Sequence, residues 1–178
     1  MGRLEMNIRT SVKADDAIGD RLLHYKDCGL DQVYLKNGFA LETIDGEETL
    51  SISDLDGLHM AIGLHIALEK KAPSPKDLRF LRHELDMSQA ELADILSVSD
   101  QTVARWEKGQ REPGGTAVFA LRLVYLLATV PDAKKTKLFR NLLKRLAHLT
   151  DMGEAEESVT CSFIENKWQT LNPANPQI

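Results

Sequence analysis

The chain has 178 residues, an apolar fraction of 43% and a formal net charge of −5. These values suit one medium globular domain or two small ones, and the negative charge excludes a histone-like basic coat for nucleic acid. Two cysteines, Cys28 and Cys161, supply neither a disulfide framework nor a four-cysteine zinc site. No apolar run reaches the ~18 residues of a membrane span, and the first residues lack the apolar core of a signal peptide. We therefore expect a cytoplasmic protein with no membrane association.

The charge is distributed unevenly along the chain. Acidic residues dominate residues 32–56 and the segment after Asp151. Between Pro131 and Thr150 there are six basic residues and a single acidic residue, Asp132. The acidic ends thus flank a centre that can present a basic face. The basic stripe of residues 134–145 is equally consistent with a solvated helix face and with contacts to phosphates.

Residues 1–72 are interpreted as an N-terminal arm followed by a small α+β module. A short helix is predicted near residues 17–25. Asn37-Gly38 lies between two β-prone runs, which is a strong hairpin signal, and Asp45-Gly46 makes a second turn before a third strand near residues 50–53.

Helical patterns dominate the chain from residue 53 to residue 150. Ser53 or Asp54 can cap a helix that runs to about Lys70. Ala72-Pro73-Ser74-Pro75 then marks a boundary, since two prolines this close cannot lie inside a helix. Five further helices are predicted: from Ser74 to about Leu85, from Ser88, from Ser99 to Gly109, over Ala117–Thr129, and from Pro131 to about Leu149.

The last segment, residues 151–178, is an acidic tail. Within it, the run CSFIENKWQTL predicts a β-hairpin that turns at Glu165–Lys167. This hairpin could pair with the N-terminal strands.

The most informative stretch is SQAELADILSVSDQTVARWEKG, from Ser88 to Gly109. It predicts two short helices joined by a turn of three or four residues, the geometry that lets the second helix enter a DNA major groove. Ser88 and Glu91 form a capping box for the first helix. Val103 and Trp106 are then predicted to face inward. The small Ala93 permits a close helix crossing, and Val98 in the turn packs into the core.

The side chains that this arrangement turns outward are our candidate DNA contacts. Gln101 can pair with adenine and Arg105 with guanine, each through two hydrogen bonds. Asp100 would repel phosphates unless it accepts from a cytosine amino group. The predicted base contacts are Asp100, Gln101, Thr102 and Arg105, and the predicted phosphate contacts are Ser88, Gln89, Ser99 and Lys108.

This stretch resembles the Xre/Cro-repressor family of helix-turn-helix regulators. The resemblance runs from about Leu78 to Leu127 through LRFLRHELDMSQ, ELA and WEKGQREP. It implies a mainly α fold: a five-helix lambda-repressor-like domain over residues 73–150, with the small N-terminal α+β module and the C-terminal hairpin attached. Ser97 stands where the family usually has glycine in the turn, and a left-handed conformation there costs roughly 1–2 kcal/mol.

A narrower resemblance covers more of the chain. The runs YKDCGLDQVYLKNGF, SISDLDGLHMAIG and RFLRHELDMSQ are similar to the MqsA/YgiT-related antitoxin-like regulators. Some of those carry a zinc module with two cysteine pairs, which Cys28 alone cannot reproduce. The resemblance therefore implies no zinc site here.

Histidines and carboxylates invite other interpretations. His59 and His65 are six residues apart, about 240° around a helix, so they cannot share one ion. His24 and Cys28 could share one if their segment were helical, although a partly buried thiol is the simpler interpretation. Asp54 and Asp56 suit a helix N-terminus better than a catalytic pair, and no nucleophile elbow, phosphate loop or dinucleotide fingerprint is present. We expect no enzyme activity, no metal and no cofactor.

The sequence therefore predicts a double-stranded-DNA-binding repressor that acts as a homodimer on a near-palindromic operator. Residues 1–72 and the C-terminal hairpin would dimerise the chain or bind a partner. Two alternatives stay open. In one, the N-terminal half neutralises a toxin while the helix-turn-helix represses the operon. In the other, the helix-turn-helix has become a protein-interaction module.

Overall fold

The computed structural model describes residues 17–18, 22–44, 47–130 and 158–171. Seven strands and five helices lie in these ranges. In chain order they are β1 (Ala17–Ile18), β2 (Leu22–His24), β3 (Val33–Leu35), β4 (Phe39–Ile44), β5 (Glu47–Ile52), α1 (Leu55–Leu68), α2 (Pro75–Glu84), α3 (Gln89–Leu96), α4 (Asp100–Glu107), α5 (Gly115–Thr129), β6 (Val159–Ile164) and β7 (Lys167–Thr170).

One sheet joins strands from both ends of the chain. Its order is β1-β2-β3-β6-β7, and neighbouring strands are antiparallel except β3 and β6, which run parallel with Leu35 opposite Cys161. The expected pairing of the C-terminal hairpin with N-terminal strands is therefore present. Helix α1 packs against β6 and β7, so its buried Leu58 and Ile62 share a core with Trp168.

The C-terminal hairpin turns where the sequence predicts. Glu165 and Asn166, between β6 and β7, have φ values of 50° and 58°. Two successive positive φ angles define the turn whose twist matches a two-residue hairpin.

The hairpin predicted around Asn37-Gly38 is wrong. β3 pairs with β2 and β6, whereas β4 pairs with β5 in a separate two-stranded sheet. Gly38 does adopt a positive φ of 77°, but a Cβ there would lie 2.6 Å from the Cβ of Phe163. The Asn37 side chain accepts from the Phe163 amide at 2.6 Å. Gly38 therefore leaves room for β6 and Asn37 bonds to it, so the two residues do not form a turn between paired strands.

The second turn signal, Asp45-Gly46, falls between strands that do pair. β4 and β5 are antiparallel, with Ile44 opposite Glu47. The third strand expected near residues 50–53 is the end of β5.

The short helix predicted near residues 17–25 is also wrong, because β1 and β2 occupy its described positions. The side chain of Leu23 is buried against the core, and Tyr25 just after the strand donates its backbone N–H to Val33 at 2.9 Å. Backbone pairing with β3 thus replaces the helical hydrogen bonds.

The predicted helix starts are present. Asp54 caps α1 by accepting from the Gly57 amide at 3.1 Å. Ser74 forms a capping box with Asp77 at the start of α2, next to Pro75 in the first turn. Helix α5 begins at Gly115, two residues before the predicted start. The further helix expected from Pro131, and the basic stripe of residues 134–145, lie outside the described residues.

The linker between α1 and α2 is held by a buried cation on α5. Arg122 is 3% exposed. Its guanidinium donates to the carbonyls of Ala67, Lys70 and Lys71. The Ala67 carbonyl lies in the last turn of α1, where the helix leaves its acceptors unpaired, and the Lys70 and Lys71 carbonyls lie in the linker. Arg122 therefore joins the end of α1 to the linker. No helix in the described ranges has the length and apolar character needed to cross a membrane.

Candidate nucleic-acid interface

Helices α3 and α4 form a tight helix-turn-helix. The turn is closed by Ser97, whose φ of 55° and ψ of 44° are left-handed, and by a 3.0 Å bond from the Val98 amide to the Ala93 carbonyl. Ala93 is 2% exposed, as expected where two helices cross closely. Ser97 therefore carries the strain that the sequence implied for a non-glycine residue at this point.

Helix α4 has one face in the core and one face in solvent. Val103 and Trp106 are 1% and 7% exposed, and the helix packs on α2 and α3. Asp100, Gln101 and Arg105 are exposed. The leading polar side chains of the helix are thus accessible from outside.

Several of the predicted contacts already serve as helix caps. The Ser88 hydroxyl accepts from the Glu91 amide, and the Ser99 hydroxyl accepts from the Thr102 amide, each at 3.2 Å. Ser99 and Thr102 also join through their hydroxyls at 2.8 Å. These hydroxyls lie at helix N-termini, where the helix dipole favours a phosphate.

A buried ion pair fixes α4 against the preceding helices. Arg82 on α2 donates to Glu107 through Nε at 2.6 Å and through a terminal nitrogen at 2.9 Å. A third bond runs from Arg82 to the Met87 carbonyl at 2.7 Å. Gln89 on α3 donates to the same Glu107 carboxylate at 2.8 Å. Three helices therefore meet at one carboxylate.

The environment of Glu107 acts on its acidity in two directions. Burial raises its pKa, but the hydrogen bonds from Arg82 and Gln89 and the charge of Arg82 outweigh burial, so the pKa lies below its ordinary value. The pair therefore stays ionised at neutral pH.

Sequence reasoning missed this network, although a signal was present. Arg82 lies four residues after the buried Leu78, and Glu107 lies four residues after the buried Val103. An arginine on one apolar stripe and a glutamate on another indicate a buried pair, since neither charge is stable there alone.

The exit from α4 adds positive charge. Lys108 and Arg111 are both exposed. Gly109 takes a φ of 68° and ends the helix, as predicted. Together with Arg105, these residues place three cations on or just beyond α4, beside the exposed Asp100 and Glu112.

Three of the described histidines are engaged in internal contacts. His59 joins the Tyr25 hydroxyl and the Glu84 carboxylate, each at 3.0 Å, and His65 joins Glu69 at 3.1 Å. His24 lies in a strand and contacts the Asp31 carbonyl at 2.6 Å, so the helical geometry required to share an ion with Cys28 is absent. His83 is exposed on α2, whereas His148 lies outside the described residues.

Cys28 is partly buried, as interpreted from the sequence. Burial raises the pKa of its thiol to about 11, which disfavours the thiolate form that binds metals. Among the described residues, no group of three or more histidine, cysteine, aspartate or glutamate side chains could hold a metal ion.

Two comparisons with known proteins bear on this site. Residues 78–125 match the family described as helix-turn-helix. The chain is also 37% identical over 51 residues to Antitoxin HigA-2 from Vibrio cholerae serotype O1 (strain ATCC 39315 / El Tor Inaba N16961). The matched segment is 29% of this chain and spans about half, 49%, of the relative.

The fold of α2–α5 and the matched residues define the class: this chain carries a helix-turn-helix domain, the scaffold of DNA-binding transcription regulators. Residues 78–125 thus form an Xre-like helix-turn-helix domain, and 51 residues of the chain are similar in sequence to an antitoxin.

Proposed function

We propose that the chain is a sequence-specific double-stranded-DNA-binding transcription regulator with α4 as its recognition helix. The observation that carries this proposal is the division of α4 into an inward face, with Val103 and Trp106, and an outward face, with Gln101 and Arg105. Helix-turn-helix domains read base edges with this outward N-terminal half.

The exposed side chains have the chemistry for base readout. Arg105 matches guanine and Gln101 matches adenine in the major groove. Thr102 can contact a thymine methyl, and Asp100 can accept from cytosine.

The phosphate contacts would surround these base contacts. Ser88 and Gln89 lie at the start of α3, Ser99 at the start of α4 and Lys108 at its end. Gln89 is bonded to Glu107, so the network that fixes α4 also orients the Gln89 side chain.

We further propose that the regulator is a repressor that acts as a homodimer. Helix α4 has 8 residues, which corresponds to about 12 Å and covers only a few base pairs. Two copies on a near-palindrome, with half-sites about 34–36 Å apart, supply the missing specificity. Size-exclusion chromatography with light scattering should show a dimer on operator DNA, and a strict monomer both free and on DNA would contradict this.

The test of DNA binding is fluorescence anisotropy with the DNA upstream of the chain's own gene. Arg105→Ala should weaken binding by about 1–3 kcal/mol and relax the preference at one base pair. Lys36→Ala removes an equal charge from an exposed residue of the strand module and should leave affinity unchanged. Affinity should fall with salt by a log–log slope of about −0.9 per neutralised phosphate.

The outcomes of this test are distinct. If Arg105→Ala weakens all sequences equally, Arg105 is a phosphate clamp and not a base reader. If the wild-type chain binds neither its upstream DNA nor unrelated DNA at low salt, the DNA-binding proposal fails, and the domain is a protein-interaction module.

An antitoxin role is the second candidate, favoured by the match to Antitoxin HigA-2. In this case the N-terminal module would bind a toxin and the helix-turn-helix would repress the shared operon. Co-expression with the product of a neighbouring small gene tests it. Arg105→Ala should still restore growth while losing repression, and failure of the wild-type chain to restore growth would contradict the antitoxin role.

A further inference from the structure

Strands β4 and β5 form a two-stranded ribbon that is separate from the main sheet. They are antiparallel over six residue pairs, from Phe39 opposite Ile52 to Ile44 opposite Glu47. In the described part of the chain, no third strand pairs with either of them. Each strand therefore keeps one edge of unpaired backbone N–H and C=O groups, and such an edge is a template for a strand from another chain.

The ribbon is held at its base and open along β4. Phe39 and Ile52, which lie opposite each other, are partly buried and pack against the core. Farther from the base, residues 40–43 of β4 are all exposed, whereas residues 49–50 of β5 are half-buried. The unpaired edge of β4 is therefore the more accessible of the two edges.

The ribbon has an apolar face and a polar face, because alternate residues of a strand point to opposite sides. On one face, Leu41 lies opposite Leu50 and continues the apolar pairing of the base. On the other face, Glu42 lies opposite Thr49. Leu41 is 49% exposed, so the apolar face is open away from the base. A strand added to β4 would meet apolar and acidic positions alternately.

The charge of this part of the chain decides which occupant fits the edge. Between Lys36 and Lys70 there are seven carboxylate residues and no lysine or arginine, and four of the seven lie in residues 42–48. The ribbon would repel DNA phosphates. A second copy would bring the same acidic ribbon against its symmetry mate, and like charges opposite each other are destabilising. A cationic strand meets neither obstacle.

We infer that the β4 edge is a docking strand for a cationic partner protein. The partner adds an extended segment to β4, in which apolar residues cover Leu41 and lysine or arginine residues lie beside Glu42. Main-chain hydrogen bonds supply the affinity of such an added strand, and alternate side chains supply its specificity. The inference goes beyond DNA binding, and it depends neither on DNA binding nor on the partner being a toxin.

The test uses the full chain and three extended peptides. One peptide alternates lysine with valine, the second is the same peptide with N-methylated backbone amides, and the third alternates glutamate with valine. Spectra of the ¹H–¹⁵N amide pairs locate binding at residues 40–43, and a titration gives the Kd. N-methylation removes the backbone donors of the added strand, and the glutamate peptide reverses its charge.

The lysine peptide should shift the amide resonances of residues 40–43 with a millimolar or lower Kd. The N-methylated peptide should bind about tenfold more weakly, the scale of one or two lost hydrogen bonds, and the glutamate peptide should not bind. Leu41→Ser and Glu42→Lys should each weaken the lysine peptide about fivefold. The matched variants Leu127→Ser and Glu112→Lys change an exposed leucine and an exposed glutamate of the helix-turn-helix domain and should not weaken it.

Four results would overturn the inference. They are no shift of residues 40–43 by the lysine peptide, equal affinity for the lysine and glutamate peptides, loss of a dimer in light scattering on Leu41→Ser, and a tenfold loss of DNA affinity on Leu41→Ser. The third would make a second copy the occupant, and the fourth would place the ribbon at the DNA. If the wild-type chain binds the lysine peptide but no DNA, the DNA-binding proposal alone fails.

Discussion

Replacing Glu107 by alanine should destabilise the protein by about 3–5 kcal/mol, because it leaves the Arg82 guanidinium buried without its counter-charge. The Arg82 and Glu107 side chains are only 8% and 5% exposed. The substitution removes two of the hydrogen bonds that Arg82 donates and the one that Gln89 donates. Since a native domain is stable by only ≈ 5–15 kcal/mol, this loss is a large share of the total.

The double variant Arg82→Met/Glu107→Leu distinguishes the cost of one unpaired buried charge from the contribution of the intact ion pair. Both charges are then gone and apolar side chains fill the space, so stability should return to within about 1–2 kcal/mol of the wild type. Glu112→Ala is the matched control, since it removes an exposed glutamate near the end of α4 and should change stability by less than about 0.5 kcal/mol.

The assay is urea unfolding followed by far-ultraviolet circular dichroism, with the free energy of unfolding taken by linear extrapolation. A cost below about 1 kcal/mol for Glu107→Ala would refute the argument from burial. If the double variant loses as much free energy of unfolding as the two single variants lose together, the two charges are not coupled and the argument is refuted.

Three further outcomes are expected. Ser97→Gly should stabilise the protein by about 1 kcal/mol, because glycine adopts the left-handed turn without strain, and a thermal melt that does not rise would contradict this. Gly63→Ala should destabilise it by about 1–3 kcal/mol, since the new Cβ would clash with the Tyr125 hydroxyl. Tyr125→Phe should not rescue the Gly63→Ala variant, because the ring carbon Cζ would still clash with the new Cβ; a double variant that melts at the wild-type temperature would contradict this. The depressed pKa of Glu107 implies that its stabilisation is complete above the ordinary value of 4.5 and is lost as pH falls through the lower folded value, so wild type and Glu107→Gln should converge in acid-unfolding curves.

The helices of the helix-turn-helix could be predicted because their signals are local. Ser74, Ser88 and Ser99 each bond an amide three residues ahead, and Asp54 does the same for α1. Such a cap depends on residues within one turn, so the sequence alone specifies it. Helical spacing is also a local signal, and it predicted which side chains of α4 point outward.

The sheet could be predicted only in part. The turn at Glu165-Asn166 is local, and the sequence located it. Asn37-Gly38 carries an equally strong local signal, and Gly38 has the expected positive φ, yet the strands on its two sides pair elsewhere. Two-strand pairing is decided by which partners bury the most apolar surface, which a turn motif does not encode.

What the sequence determined by itself is the set of elements whose hydrogen bonds close within a few residues: the caps, the left-handed turn at Ser97 and the two faces of α4. Tertiary structure alone determined which distant parts of the chain come together. Examples are the pairing of β3 with β6, the ion pair of Arg82 with Glu107, and the residues that surround His65. The physical reason is that a cap is specified by the residues of one helical turn. A strand pair or a buried charge pair is stable only after the rest of the chain has folded around it and excluded water.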